Sequence, residues 1–175
     1  MEIDKSWTLF LDRDGVINEK REGDYVKNWD EFSFIEGTIK AIAILSRFFG
    51  KIIIVTNQRG VGKNIMSLSD LHYIHKKMIN EINLNFGRID KIYYSIDIDD
   101  AALNRKPNIG MGLMAKVDYP SIEFNKSLIV GDSQSDLQFG KNLGMHTIYV
   151  GKVDNNLQKL RFKSLYDFAC KIQNQ

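Results

Sequence analysis

Phe10-Leu11-Asp12-Arg13-Asp14-Gly15 joins a short apolar run to two carboxylates and a glycine. Leu9-Phe10-Leu11, preceded by Trp7 and Thr8, breaks off at the acids, which predicts a buried strand of about five residues. Asp12 and Asp14 then stand just past a strand end, where both can be aimed into one crevice. Carboxylates this close repel each other unless a cation or a proton sits between them. A hard divalent ion with oxygen ligands, such as Mg²⁺, meets that need. One carboxylate can then attack phosphorus while its neighbour protonates the leaving oxygen. Gly15 lets the backbone turn sharply beside the metal. The same string also suits a solvated turn after a strand, so alone it leaves both readings open.

Outward from this segment, strand-like and helix-like stretches alternate. Lys51–Thr56, Ile89–Ile96, Ser127–Val130 and Thr147–Val150 read as further strands. Thr38–Phe49 carries Ile39, Ile42, Ala43, Leu45 and Phe49 at helical spacing, with Gly50 as a stop. Ser67-Leu68-Ser69-Asp70 resembles a capping box and opens a helix to Phe86. Helices are also expected at Ile109–Val117, Asp136–Leu143 and Ser164–Ile172, while 18–35 reads as an extended loop or small hairpin. The alternation predicts an α/β fold, a Rossmann-like three-layer sandwich around a five-stranded, mainly parallel sheet. Ligands of such sheets bind at the carboxyl ends of strands, near the point where strand order reverses. Asp12 and Asp14 follow the first strand, Thr56 and Asn57 the second, and Asp132 the fourth.

Each of these later groups has a chemical and a plain reading. Thr56-Asn57-Gln58 offers a hydroxyl, two amides and backbone N–H groups to phosphate oxygens, or simply caps a turn. Arg105-Lys106-Pro107 brings two cations that can clamp or neutralise a phosphoryl group, or a solvated basic pair before a helix. Asp132 can complete a metal site, and Asp136 can orient a metal water or a neighbouring cation. Their plain reading is an acidic helix N-terminus.

The whole chain bounds these options. Its 175 residues fit one domain, residues 1–175, with no linker-like stretch and two prolines. A net charge of +2 supplies no bulk attraction for polyanions. Apolar runs such as Ile52-Ile53-Ile54-Val55 are too short to span a bilayer, and Met1-Glu2-Ile3-Asp4-Lys5 lacks the apolar centre of a signal peptide. One cysteine, Cys170, leaves no internal disulfide or multi-cysteine zinc site. A cytoplasmic monomer with no membrane partner is the expectation.

In order along the chain, Asp12/Asp14, Thr56, Lys106 and Asp132/Asp136 resemble the four motifs of the haloacid dehalogenase superfamily of phosphatases: acid-x-acid, Thr or Ser, Lys, then Gly-Asp with a further acid. Leu11 to Asn18, Thr56-Asn57-Gln58 with Gly60, and Arg105-Lys106-Pro107 with Gly110-Met111 are similar to its heptose-bisphosphate and histidinol-phosphate phosphatase branch. Tyr25-Val26 and Phe32 through Gly37 are closer to the heptose enzymes. The resemblance implies Asp12 as nucleophile and Asp14 as acid and base. It implies Thr56, Asn57 and Lys106 at the phosphoryl group, and Mg²⁺ on Asp12, the Asp14 carbonyl and Asp132. Arg105, Gln58 and Tyr25 are expected at the substrate, with Asp136 behind the metal site.

Two departures stand out. Relatives carry a Cys/His zinc loop before Arg-Lys-Pro, whereas Ile96 to Asn104 contains neither residue, so no structural zinc is expected. Ser133 stands where many relatives have Lys, which removes a cation. The 21 residues from 15 to 35 are too few for a large cap domain, so an open site is expected. A phosphorylated sugar such as the heptose bisphosphate is the favoured substrate, then another small metabolite such as histidinol phosphate. A DNA 3′-phosphate is disfavoured, because Asp97, Asp99 and Asp100 oppose the basic groove a strand needs. An inactive binding protein of the same fold is the alternative of another class. His72, His75 and Cys170 are read as structural, the two histidines as partly exposed.

Overall fold

The computed structural model describes residues 3–151 and 160–174. Six strands form one sheet: β1 (Thr8–Leu11), β2 (Lys51–Asn57), β3 (Lys91–Ser95), β4 (Ser127–Gly131), β5 (His146–Val150) and β6 (Arg161–Phe162). Their order is β3-β2-β1-β4-β5-β6, and every neighbouring pair is parallel. The sheet therefore has one strand more than the five expected. β6 pairs through two residues, Arg161 with Tyr149 and Phe162 with Val150. A two-residue edge strand is too short to show a hydrophobic period.

The helices are α1 (Thr38–Phe48), α2 (Arg59–Gly62), α3 (Leu68–Leu84), α4 (Gly110–Asp118), α5 (Gln134–Leu143) and α6 (Leu165–Gln173). Ser67 and Asp70 close the expected capping box at the start of α3. The single turn α2 follows directly on β2 and carries Gly60 and Gly62. Alternate strand residues sort into two cores. Leu9, Leu11, Ile52, Ile54, Leu128 and Val130 pack with α1, α3 and α6 through residues such as Leu45, Ile74 and Phe168. Phe10, Ile53, Val55 and Ile129 pack with α4 and α5 through Met111, Ala115 and Phe139. Both faces of the sheet are covered, which is why its central strands read as unbroken apolar runs. Each fully buried Leu, Ile or Phe contributes about 1.5–3 kcal/mol, so these strands anchor their polar ends firmly.

The chain leaves β1 toward β2 on one side and later returns to β4 on the other. That reversal opens a crevice at the carboxyl ends of β1, β2 and β4. Residues 18–35 run beside it, tied back as a short antiparallel pairing: Glu19 N–H donates to Ser33 O at 2.8 Å and Ile35 N–H to Ile17 O at 3.0 Å. Trp29 stacks on Phe32 at 4.8 Å, and Phe34 meets both edge-on. Among the described residues there is no large cap over the crevice and no helix long and apolar enough to cross a membrane.

Candidate active site

The crevice is a cavity of about 260 Å³ with Asp12, Asp14, Thr56, Asn57, Arg105, Lys106, Asp132 and Asp136 in its wall, joined by Lys20, Ser133 and Ser135. Asp12 N–H donates to Val130 O at 3.0 Å, which continues the sheet ladder one residue beyond β1 and fixes the Asp12 backbone. Gly15 follows with φ near +90°, and a methyl there would overlap the Asp132 carboxylate. A methyl at Gly131 would overlap Asp136 in the same way. These two glycines let the β1 and β4 loops bring their carboxylates together.

Lys106 lies buried between those loops. Its ammonium meets Asp12 Oδ1 at 2.8 Å and Asp136 Oδ1 at 2.6 Å, and donates to Val55 O at 2.7 Å. Burial opposes the charge, but Asp12 and Asp136 outweigh it and hold Lys106 above the ordinary lysine range. Burial, then repulsion from Asp136, push the Asp12 carboxyl up to about 7 against the pull of Lys106. Burial likewise raises Asp132, against the opposing pull of Lys20. Oxygens of Asp12, Asp132 and Asp136 come within 4.8 Å of one another, and Asp132 Oδ1 is buried with no hydrogen-bond partner. An all-oxygen donor set with an orphaned carboxylate oxygen and surplus negative charge fits a hard divalent cation. Both oxygens of Asp136 are engaged, Oδ1 by Lys106 and Oδ2 by Ser133 N–H at 3.1 Å and Ser133 Oγ at 2.5 Å.

Asp14 turns to a separate network. Its carboxylate accepts from Arg13 Nη2 at 2.8 Å, Asn18 Nδ2 at 2.9 Å and Gln58 Nε2 at 2.8 Å. Burial alone would raise its pKa; the Arg13 charge and these donors outweigh that and hold the carboxyl below the usual carboxylate range. Arg13 is itself buried, with Nη1 3.3 Å from His75 Nε2. Arginine is always a donor, so His75 Nε2 accepts and the ring is neutral. Burial and then the Arg13 charge push His75 down to about 3.

Several expected substrate contacts have other partners here. Gln58 is buried and bridges Asp14 to Thr56 Oγ1, the latter at 2.9 Å. Thr56 accepts that bond, so its own O–H remains free to donate into the cavity. Asn57 pairs with the Lys106 backbone, accepting from its N–H at 3.0 Å and donating to its carbonyl at 3.1 Å. Tyr25 is absent from the cavity wall; its ring packs on Gly60 with Lys63 Nζ 5.7 Å from the centroid. Arg105 reaches the wall with Nε on Asp100 at 2.8 Å and a buried, unpartnered Nη1. Asp100 also accepts from Arg59, so paired charges hold the loop that lacks Cys and His.

His75 is buried rather than partly exposed, because it shares the inward face of α3 with Leu71, Ile74, Met78 and Ile82, where Arg13 meets it. The motif reading gives no site role to Lys20, Arg13, Asn18 or His75, although Arg13 and Asn18 lie within the string Leu11 to Asn18. Arg13 could have been suspected from its place between the two acids. Lys20 sits in an aperiodic loop that gives no hint of its direction.

A family model described as polynucleotide kinase 3 phosphatase matches residues 8–149. The chain belongs to that family of haloacid dehalogenase superfamily phosphatases. The phosphatase is 34% identical over 173 residues to the D-glycero-alpha-D-manno-heptose-1,7-bisphosphate 7-phosphatase of Mycobacterium tuberculosis, covering 95% of this chain and 91% of that one. It is 34% identical over 131 residues to the D-glycero-beta-D-manno-heptose-1,7-bisphosphate 7-phosphatase of Neisseria meningitidis, covering 74% and 69%. The crystal structure of the D,D-heptose 1,7-bisphosphate phosphatase from B. bronchiseptica, complexed with magnesium and phosphate, superposes with a TM-score of 0.85 at 26% identity, covering 96% of this chain and 98% of that one.

Proposed function

We propose that this phosphatase is Mg²⁺-dependent and removes the 7-phosphate of a D-glycero-D-manno-heptose 1,7-bisphosphate through a phosphoaspartate on Asp12. The observation that carries the chemistry is the pairing of Asp12, paired with Lys106 in an open cavity, with Asp14 held two residues away in a different electrostatic setting. In the protein alone the two shifts run opposite to these roles, Asp12 raised and Asp14 lowered; positive charge bound at Asp12 and phosphate arriving at Asp14 would each reverse the shift. The heptose names of relatives that match most of the chain support the substrate.

In the first step an Asp12 carboxylate oxygen bonds to phosphorus and the bond to the sugar oxygen breaks. Asp14 gives its proton to that oxygen. Arg13, Asn18 and Gln58 favour ionised Asp14, while the arriving phosphate dianion opposes it and favours the protonated form. In the second step ionised Asp14 takes a proton from water, the water oxygen bonds to phosphorus, and the Asp12 oxygen leaves as carboxylate. Lys106 offsets charge at Asp12 throughout, and the Thr56 hydroxyl donates to a phosphoryl oxygen. Asp12 and Asp132 would hold Mg²⁺, together with the Asp14 carbonyl. When bound, the ion supplies charge that draws the Asp12 proton away and polarises the phosphoryl group. The unpartnered Nη1 of Arg105 is suited to a hydroxyl or second phosphate of the sugar.

A DNA 3′-phosphate is the rival suggested by the description of the matching family model. Asp97, Asp99 and Asp100 beside Arg105 weigh against it, because a strand requires a basic track. The test compares kcat/KM for both anomers of the heptose bisphosphate with histidinol phosphate, fructose 1,6-bisphosphate and a 3′-phosphorylated oligonucleotide. We expect the heptose bisphosphate to lead by an order of magnitude or more; a lead by the oligonucleotide would overturn the substrate.

A further inference from the structure

Lysine has three N–H donors. Lys106 donates one to Val55 O and is held in ion pairs with Asp12 at 2.8 Å and Asp136 at 2.6 Å. Its charge at the cavity is therefore already shared with two protein carboxylates. Ser133, beside Asp132, is neutral and spends its hydroxyl on Asp136. Arg105 holds Asp100 through Nε. Among the motif residues, Nη1 of Arg105 is thus the cationic donor left without a partner, and the reading above gives it to the sugar side of the substrate.

Lys20 offers further donors. It reaches in from the loop after β1 and meets Asp132 Oδ2 at 2.8 Å, with its side chain 45% exposed. That single bond leaves two N–H groups uncommitted at the cavity wall. Asp132 keeps Oδ1 for other use, since that oxygen has no protein partner.

We propose that Lys20 is a phosphate-binding cation of the site, resting on Asp132 and turning its two free N–H groups to the substrate's phosphoryl oxygens. The proposal rests on the phosphoryl-transfer reading above and adds a residue to it. It also gives the loop after β1 a task in binding: it delivers a charge that the strand ends do not provide.

Inorganic phosphate titrated calorimetrically into the Mg²⁺-loaded protein is the direct probe, beside steady-state kinetics with p-nitrophenyl phosphate. Loss of one charge-assisted contact predicts about tenfold or more weaker phosphate binding in Lys20→Met. KM should rise similarly, while kcat falls far less. Lys20→Arg should restore most of the phosphate affinity. Unchanged phosphate affinity in Lys20→Met overturns the proposal. So does tighter Mg²⁺ binding with unchanged phosphate affinity, since Lys20 would then only fill the place of a metal at Asp132. A wild-type protein that neither binds phosphate nor hydrolyses the ester overturns the underlying reading instead.

Discussion

Asp12 and Asp14 leave the same strand two residues apart and end in opposite surroundings. Around Asp12 the negative charges outnumber the positive: Asp132 and Asp136 crowd it, Lys106 answers in part, and its carboxyl is raised to about 7. Around Asp14 every donor is aimed inward, from Arg13, Asn18 and Gln58, and its carboxyl is lowered. One side is electrostatically unfinished in the protein alone, which suits a bound cation, and the other is complete. The difference teaches how one backbone turn can serve two chemical roles. Burial is shared; the partners decide the sign of each shift.

The strongest way to break this contrast is to remove the unfinished side. Asp12→Asn keeps the shape and removes the proposed nucleophile, so kcat should fall by about 10⁴-fold or more, while circular dichroism and melting show a folded protein. Turnover near the wild-type rate would sink the phosphoaspartate scheme. Asp14→Asn acts on the complete side and should cost about 10²–10⁴-fold. Its effect should be larger for a sugar phosphate, whose alkoxide needs a proton, than for p-nitrophenyl phosphate, whose phenolate does not. Equal losses on both substrates would remove Asp14 from the role of acid.

The two sides were not equally legible in the sequence. Asp12, Asp14, Thr56, Lys106 and Asp132 stand at or after strand ends, and strand ends can be read from apolar runs. Packing fixes where such residues emerge, so their meeting in one cavity follows from the alternation of strands and helices. The inward network was hidden because its members come from unlike places: Asn18 from a loop, Gln58 from the turn before α2, His75 from the buried face of α3. Helical spacing placed His75 on a helix, and Leu71, Ile74, Met78 and Ile82 mark its face as the buried one; its partner Arg13, 62 residues away, was not legible. Asn57 and Gln58 show the same limit. An amide after a strand can bind a ligand or hold a neighbouring segment, and residue type does not separate the two. Lys20 lies 112 residues from Asp132, in a stretch without period. β6 is two residues long, below the length at which alternation means anything.

Arg13→Met probes the same network through stability. It leaves the Asp14 carboxylate buried with two neutral donors and no cation. Breaking a buried ion pair from one side costs about 3–5 kcal/mol, read as a lower denaturation midpoint in urea at pH 7. The remaining carboxyl should also titrate higher, shifting the acid limb of the kcat profile toward neutral pH. A loss below about 1 kcal/mol would mean that Asn18 and Gln58 suffice.

The gentlest probe is the neutral ring behind Arg13. His75 takes up a proton near pH 6.5 when unfolded but only near pH 3 in the folded protein. Between those values the unfolded state binds more protons, so stability from this residue is full above about 6.5 and is lost as pH falls toward 3. The slope is at most about 1.4 kcal/mol per pH unit. His75→Gln keeps an acceptor for Arg13 and removes the titration. Asp12 and Asp14 titrate in both proteins, so their contributions cancel in the difference. Urea midpoints should therefore favour the wild type most at neutral pH, and its advantage should shrink steadily from pH 6.5 to pH 4. An advantage that stays constant across that range would mean that His75 is charged in the folded protein, and the inward network would then carry a second cation beside Arg13.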